Sequence, residues 1–459
     1  MKRVTDNAVR LSNDVVRDAS MIGRDSERLA FAAREQWETW AGAGRAAPRV
    51  MRVIAEGASL LALYRWHLMR AKIGGFDHVP DDVHRVLAAR AKAACIELRG
   101  GVLKIGQIAS CRPDLVGPIW ARELAELQDR VPPVDTALIV ARIEADLGAP
   151  IAELFARFDE TPVAAASLAQ VHLAALADGR EVAVKVQVPG IDEVIEADIA
   201  ALRALAMVAG DLLPGADIFA GELGVSLKKE LDYAHEADSA REVATQVAAP
   251  LFVPGVIDSH SKGAVLTTDR VDGARLGEYL EAAAPDERKR VIGAMIADVA
   301  RAVFVHGVVH ADPHPGNFLV CADGRIAVLD FGCVLRLDPI ERKGYAKLLG
   351  YVFAGQPEKV ASALEDLGFS GAHESLVAMA DLICGAMKPG VAAADIDWSV
   401  QMKAMVEEAT KMSRAGGVRV PAGFVLLGRV LATIAGYVVT YRPPLELFQL
   451  IAPAIARAA

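Results

Sequence analysis

The segment VVHADPHPGNFLVCADGRIAVLDFG, residues 308–332, constrains the fold of this chain more than any other stretch. Asp312 and Asn317 sit five apart in a loop, and Asp330 opens a D-F-G triplet directly after a strand-like run. Two short apolar runs, Asn317 to Val320 and Ile326 to Leu329, flank Asp323-Gly324 and read as a β-hairpin. A lone D-F-G can arise by chance in a long chain. An H-x-D element from His310 to Asp312, an asparagine five residues on and D-F-G eighteen residues after the aspartate are jointly specific.

This order and spacing match the catalytic and metal loops of protein kinases. Phosphoryl transfer rests mostly on positioning and charge neutralisation. Asn317 and Asp330 are therefore the candidate magnesium ligands, and Asp312 is the residue that orients or deprotonates an acceptor. His310 reads as structural support for the loop. The phosphate-binding lysine is Lys185 in V-A-V-K, where strand alternation sends Ala183 and Lys185 to one face. Upstream, where a kinase carries its Gly-rich phosphate loop, stands Ala164-Ala165-Ala166-Ser167-Leu168-Ala169-Gln170-Val171, without a glycine. A Cβ resists the conformations that let backbone amides approach phosphates, so a differently shaped loop and an altered nucleotide preference are expected. In KKELDYAHEAD, Glu230, Asp232 and Glu236 are candidate carboxylate partners for the lysine. On one helix, six residues would set Glu230 and Glu236 roughly 120° apart, facing different partners.

Together these residues resemble the UbiB/ADCK family of atypical kinases, from about Leu98 to near Leu337 and more weakly to the C-terminus. Its K-x-G-Q motif stands here as Lys104-Ile105-Gly106-Gln107, with Lys104 and Gln107 three apart on one helix face, a spacing that suits a joint contact. The resemblance implies an α+β, bilobal protein-kinase-like fold: a small mixed N-lobe, a mainly helical C-lobe and an N-terminal helical extension carrying K-x-G-Q. It implies ATP as ligand with Mg2+ or Mn2+. Asp312, Lys185 and Glu236 would be catalytic, with Glu236 the partner of Lys185; Ala164, Ala165, Ala166, Ser167, Lys185, Asp269 and Val271 would meet the nucleotide; and Asn317 and Asp330 would hold the metal. Lys104, Gln107, Glu230 and Asp232 would form a regulatory lid, with Lys104 meeting Glu230 and the K-x-G-Q helix occluding the place of a protein substrate. After Gly332 the chain runs through CVLRLDPIERK into a helical pattern with no long activation segment, which agrees with occlusion. Thr268-Asp269 replaces the more usual Met-Glu of the hinge, so adenine contacts there are expected through backbone. The implied activity is ATP hydrolysis or small-molecule phosphorylation in support of isoprenoid-quinone or lipid metabolism. A protein kinase acting in trans and a nucleotide-binding scaffold are the alternatives.

The 459 residues divide into expected segments 1–75, helical and membrane- or partner-contacting; 76–135, the K-x-G-Q extension; 136–273, the N-lobe; and 274–459, the C-lobe. Helical breaks are expected at Gly42-Ala43-Gly44 and Pro48. One helical stretch is expected from His84 to Cys111, with Pro132-Pro133 closing the helix after it. Strands follow at Val163 to Leu176 and Glu181 to Val188, then a long helix from Glu193 to about Val247 broken near Pro214-Gly215. Short β runs at Phe252 to Val256 and Ala264 to Thr268 precede a C-terminal half that is helical apart from the hairpin.

A net charge of −9 argues against general nucleic-acid binding. Cys95, Cys111, Cys321, Cys333 and Cys384 lack metal-ligand spacing and read as free thiols in a reducing compartment, Cys333 as a packing residue. The N-terminus lacks the apolar run of a secretory signal, so a cytoplasmic location is expected. Arg45 to Lys72 carries six basic residues against one acidic, with Val53, Leu60, Leu61, Tyr64, Leu68 and Trp66 interspersed. It reads either as a helix packed on its own domain or as one lying on an anionic membrane surface. Phe424 to Tyr441 is interrupted by Arg429, leaving twelve uncharged residues where a span needs about 20, and reads as a buried helix. Some bacterial family members end in hydrophobic anchors; this sequence ends in IAPAIARAA, so any membrane contact is expected to be peripheral, on the inner face.

Overall fold

The computed structural model describes residues 46–76, 78–110, 116–128, 133–210, 212, 216–386, 418–419 and 421–458, with separate positions between 20 and 36. The expected features at Gly42-Ala43-Gly44, Cys111, Pro132 and Pro214-Gly215 lie outside the described residues. The chain forms two compact units, one of residues 1–153, 158–172 and 185–231, the other of residues 154–157, 173–184 and 232–459.

The helices of the first unit are α1 (Ala46–Ile73), α2 (Asp81–Leu98), α3 (Gly100–Ser110), α4 (Pro118–Ala125), α5 (Thr136–Leu147), α6 (Ile191–Ala209) and α7 (Ala216–Glu230). Pro48 does not break α1. It sits in the first turn, where its missing N–H has no intrahelical partner to lose. The expected helix from His84 to Cys111 is two helices, because Arg99 and Gly100 turn to φ 55° and 58°. A Cβ on Gly100 would come within 2.6 Å of Val194 Cγ1, so only glycine fits that corner. Three of the six basic residues of the cationic stretch pair within the unit: Arg49 with Asp198, Arg52 with Glu97 and the buried Arg65 with the buried Asp25. This supports the packed reading of α1, although Trp66 stays exposed.

Strand β1 (Arg157–Phe158) is followed by β2 (Ala164–Ala165), β3 (Ala169–Ala175) and β4 (Glu181–Gln187). The expected strand from Val163 to Leu176 is interrupted. A tight turn, closed by Ala166 N donating to Ala169 O at 2.8 Å, folds β2 back on β3 with Ala164 opposite Val171 and Ala165 opposite Gln170. In β4, Val182, Val184 and Val186 are fully buried while Glu181, Ala183 and Lys185 take the other, half-buried face, as period-2 alternation requires.

The second unit contains β5 (Leu251–Phe252), β6 (Val265–Asp269), β7 (Ala274–Arg275), β8 (Val308–His310), β9 (Phe318–Val320), β10 (Ile326–Val328) and β11 (Val334–Arg336). One sheet has the order β1-β3-β4-β6, and another the order β5-β10-β9-β7. The expected hairpin is present, with Ile326 opposite Val320 and Val328 opposite Phe318. Strands β7, β8 and β11 were not expected, because runs of two or three residues are too short to display alternation.

Helices α8 (Tyr233–Ala244), α9 (Leu276–Ala282), α10 (Pro285–Arg301), α11 (Pro339–Phe353), α12 (Pro357–Asp366), α13 (His373–Ala386), α14 (Ala422–Tyr441) and α15 (Leu447–Ala458) complete it. The single break expected between Glu193 and Val247 is joined by a second, where Asp232 caps α8 by accepting from His235 N at 2.9 Å. Glu230 and Glu236 therefore stand on different helices, and the 120° argument does not apply. Among the described residues no helix is long and apolar enough to cross a membrane. Helix α14 instead buries Leu427, Val430, Tyr437 and Val438 in the unit's core.

Leu276 and Leu280 of α9, Ile292 of α10 and Ile326 of β10 are fully buried in one cluster beside Phe331 of the D-F-G triplet. Leu276→Ala should lower stability by about 2–5 kcal/mol, read as a lower urea midpoint. A shift equivalent to less than about 0.5 kcal/mol, the range typical of surface changes, would contradict this packing.

Candidate functional site

The D-F-G and H-x-D elements meet in the second unit because β8 and β11 pair antiparallel, setting His310 opposite Val334, while Ala311 N donates to Cys333 O at 2.9 Å. Imidazole Nε2 of His310 lies 2.7 Å from the Asp330 carbonyl and 3.2 Å from that of Leu329. Carbonyls only accept, so Nε2 carries the hydrogen. The ring is fixed edge to face against Phe318 and Phe331, at 5.8 and 5.5 Å between centroids. His310 is thus loop support, as the spacing suggested. Asp330 adopts φ 57°, a left-handed backbone unusual for a residue with a Cβ, and its Oδ1 accepts from Gly332 N at 3.2 Å. Its side chain is exposed while Phe331 is buried.

Asn317 is held by the loop it belongs to. Its Nδ2 donates to the Asp312 carbonyl at 3.0 Å and to Asp312 Oδ2 at 3.1 Å, while its backbone carbonyl accepts from Leu329 N at 2.8 Å. With the amide nitrogen so engaged, Oδ1 is the end left to meet a cation. Among the described residues no group of three or more His, Cys, Asp or Glu side chains forms a self-contained metal site. Asn317 and Asp330 offer hard oxygen donors in the small number typical of Mg2+ sites, which take their remaining ligands from phosphates and water. The donor set fits that ion.

Three residues hold this loop that the sequence did not single out for it. Arg429 of α14 donates to the Ala311 carbonyl at 2.6 and 3.2 Å, reaches Cys333 Sγ at 3.2 Å and lies 4.0 Å from Asp312 Oδ1. Tyr437, eight residues and about two turns further along α14, donates its hydroxyl to the Pro313 carbonyl at 2.6 Å, and burial raises its pKa. Buried Glu236 accepts from Phe331 N at 3.4 Å. A cavity of about 30 Å3 behind the loop is lined by His310, His306, Asp298 and Gln246 among apolar side chains. Burial raises the pKa of Asp298 and lowers that of His306.

At the hinge-like stretch Asp269 is structural. Its carboxylate takes a fork from Arg180 at 2.6 and 2.8 Å and accepts from Gly255 N at 3.1 Å, and its backbone N–H donates to Gly255 O. Val271 follows in the loop beyond β6.

In the first unit the four K-x-G-Q residues have four different jobs. Lys104 Nζ pairs with Glu230 Oε1 at 2.8 Å. Gln107 Nε2 donates to the Leu127 carbonyl at 2.8 Å, a different partner from the Glu230 that Lys104 meets. Ile105 packs against the cluster of Leu168, Ile191, Ile195, Ile199 and Leu227. Gly106 lets α3 lie against Cys95 and Leu127, whose Sγ and Cδ1 would be 2.9 and 2.6 Å from an added Cβ. Of the Ala-rich segment, Ala164 and Ala165 are half-buried and Ala166 exposed, whereas Ser167 turns inward at 9% exposure. Lys185 is half-buried on β4 and belongs to the first unit; Glu236 and Asp232 belong to the second.

The profile of the ABC1 atypical kinase-like domain matches residues 126–364. An aarF domain-containing protein kinase of Arabidopsis thaliana, named as chloroplastic, is 32% identical over 82% of this chain and 54% of its own length. AarF domain-containing protein kinase 1 of Xenopus laevis is 31% identical over 70% of this chain and 64% of its own length. The chain thus spans roughly half to two-thirds of these relatives. Among solved structures, the complex of Rv3197 with erythromycin from Mycobacterium tuberculosis shares the fold, with a TM-score of 0.52 and 24% identity over 78% of this chain and 94% of the other.

Tyr437→Phe leaves the Pro313 carbonyl without its donor in a buried position. We expect a loss of about 1–3 kcal/mol in urea denaturation, and an unchanged midpoint would contradict the tethering role.

Proposed function

The chain belongs to the ABC1 atypical kinase-like family, and from that premise we propose that it binds Mg-ATP and either hydrolyses it or phosphorylates a small molecule, in support of isoprenoid-quinone or lipid metabolism. The observation that carries the reading is the pair of hydrogen bonds that Asn317 Nδ2 donates to the Asp312 carbonyl and Oδ2, with the Asp330 carbonyl held by His310. A carboxamide oxygen and a carboxylate are thereby set in fixed positions, each on a backbone that the surrounding loop determines.

In this reading Asn317 and Asp330 hold the metal, which when bound neutralises phosphate charge during transfer. Asp312 orients the attacking water or hydroxyl. Its carboxylate is half-exposed, with Oδ2 engaged by Asn317 and Oδ1 facing Arg429, so it is oriented yet accessible. Lys185 meets the α- and β-phosphates and Glu236 is its carboxylate partner. Ala164 to Ser167 lie along the phosphates, and the Asp269 and Val271 backbone meets adenine, since the Asp269 carboxylate is committed to Arg180. Lys104, Gln107, Glu230 and Asp232 form the regulatory lid region.

A small acceptor is favoured over a protein one by the chain after D-F-G. It passes through β11 and enters α11 at Pro339, with a capping box at Asp338 and Glu341, leaving only a few residues between metal loop and helix. The acceptor class follows the family resemblance, and contact with anionic lipid belongs to the same proposal.

The test is phosphate release from Mg-ATP by wild type and by Asp330→Asn, with and without a phenolic quinone-precursor mimic and anionic vesicles. Loss of one preorganised electrostatic contact should reduce release by about a hundredfold. Equal rates for variant and wild type would overturn the metal assignment.

A further inference from the structure

The first unit contains a buried ionic hub that the function above does not use. Asp198 of α6 is fully buried, and Arg49 of α1 grips it with two bonds, Nε to Oδ1 at 2.8 Å and Nη2 to Oδ2 at 2.7 Å. The same guanidinium donates to the carbonyls of Leu98 at 2.7 Å and Arg99 at 3.0 Å, the last residues before α3. The carboxylate in turn accepts from Val102 N at 3.0 Å and from the amide of Gly101, in the first turn of α3. One residue pair therefore holds the end of α2, the start of α3 and both α1 and α6.

The sequence around the corner is fitted to this grip. A Cβ on Gly101 would lie 2.8 Å from Asp198 Oδ2, and one on Gly100 would lie 3.0 Å from Arg49 Nη2. Negative charge at a helix N-terminus is favourable, and the carboxylate satisfies N–H groups that have no partner within the helix. Burial pushes the Asp198 carboxyl above its usual range, opposed by Arg49 and the two amides. A buried carboxylate deprived of its partner is strongly penalised, so the hub holds as a unit or opens as a unit. The planar fork of arginine, which serves two carboxylate oxygens and two carbonyls at once, cannot be reproduced by lysine.

We propose that Arg49 and Asp198 are positioning residues for the K-x-G-Q helix: a latch that fixes the N-terminus of α3 and so sets Lys104 against Glu230. Lys104 lies two residues beyond Val102, on the first full turn of the clamped helix. Its ammonium reaches Glu230 through a partly exposed pair, at 27% and 30% side-chain exposure, that solvent screens more than it does the fully buried Asp198. The buried hub is the stronger constraint, and it makes the position of α3 depend on α1. The regulatory meaning of the latch rests on the reading of α3 as a lid; its existence does not.

The test is hydrogen exchange of full-length protein at the Lys104 to Gln107 amides, which are not bonded to Asp198, for wild type, Arg49→Lys and Arg49→Met. Arg49→Lys keeps a positive charge beside Asp198, whereas Arg49→Met removes it, so the two variants grade the loss of the hub. Unchanged protection in α11 is the internal check. Exchange at the four amides should rise about tenfold or more in Arg49→Met and less in Arg49→Lys, since exchange follows local opening. Protection in Arg49→Met equal to wild type would overturn the latch. The ratio of ATP to ADP affinity is measured on the same samples. Faster exchange with an unchanged ratio supports the latch and sinks the lid reading, whereas faster exchange with a changed ratio supports both.

Discussion

The second unit's site depends on keeping Asp330 in a left-handed backbone conformation. That state disfavours a residue with a Cβ by about 1–2 kcal/mol, and such strain persists only where the surroundings over-determine it. Here they do. His310 grips the Asp330 carbonyl, Gly332 bonds its carboxylate, and Glu236 takes the amide of Phe331, whose ring is buried in the core. The strand pair β8 and β11 brings His310 to that position, and α14 ties down the carbonyls of Ala311 and Pro313 on the other side of Asp312. If Asp330 binds the metal as proposed, a carboxylate held by so constrained a backbone would be preorganised for it, as electrostatic catalysis requires.

The first unit applies the same logic to a helix. Each K-x-G-Q residue has its own partner, and the glycine is required by close packing against Cys95 and Leu127. The burial that makes this contact tight also pushes the Cys95 thiol up to about 11, leaving it inert at neutral pH. Lysines and glutamines at such positions gain specificity from what their backbone is anchored to, and the anchor is the Asp198 hub.

Much of this was legible in residue order. The spacing of His310, Asp312, Asn317 and Asp330 identified the loops because all their mutual bonds lie within 20 residues of chain. Alternation placed Lys185 on the half-buried face of β4, and the Lys104–Glu230 pair was implied by the family resemblance and is present. What escaped is long-range or fine-grained. Arg429 and Tyr437 act 118 and 124 residues from the carbonyls they hold, and Arg49 acts 149 residues from Asp198. No local pattern records such partners. The break at Asp232 was hidden because a capping aspartate inside a helix-favouring stretch looks like one more acidic residue of a solvated face. Pro48 misled for the opposite reason, since proline marks a helix start as readily as a break.

Under the proposed function, Asn317 and its neighbours hold a metal-bound nucleotide. Calorimetric titration of ATP into wild type and Asn317→Ala, in Mg2+ and in EDTA, tests it most directly. Mg2+ should tighten ATP binding to wild type by about tenfold or more, equivalent to roughly 1.4 kcal/mol, and this gain should be largely lost in Asn317→Ala. The same Mg2+ gain in both proteins, or none in wild type, would contradict it.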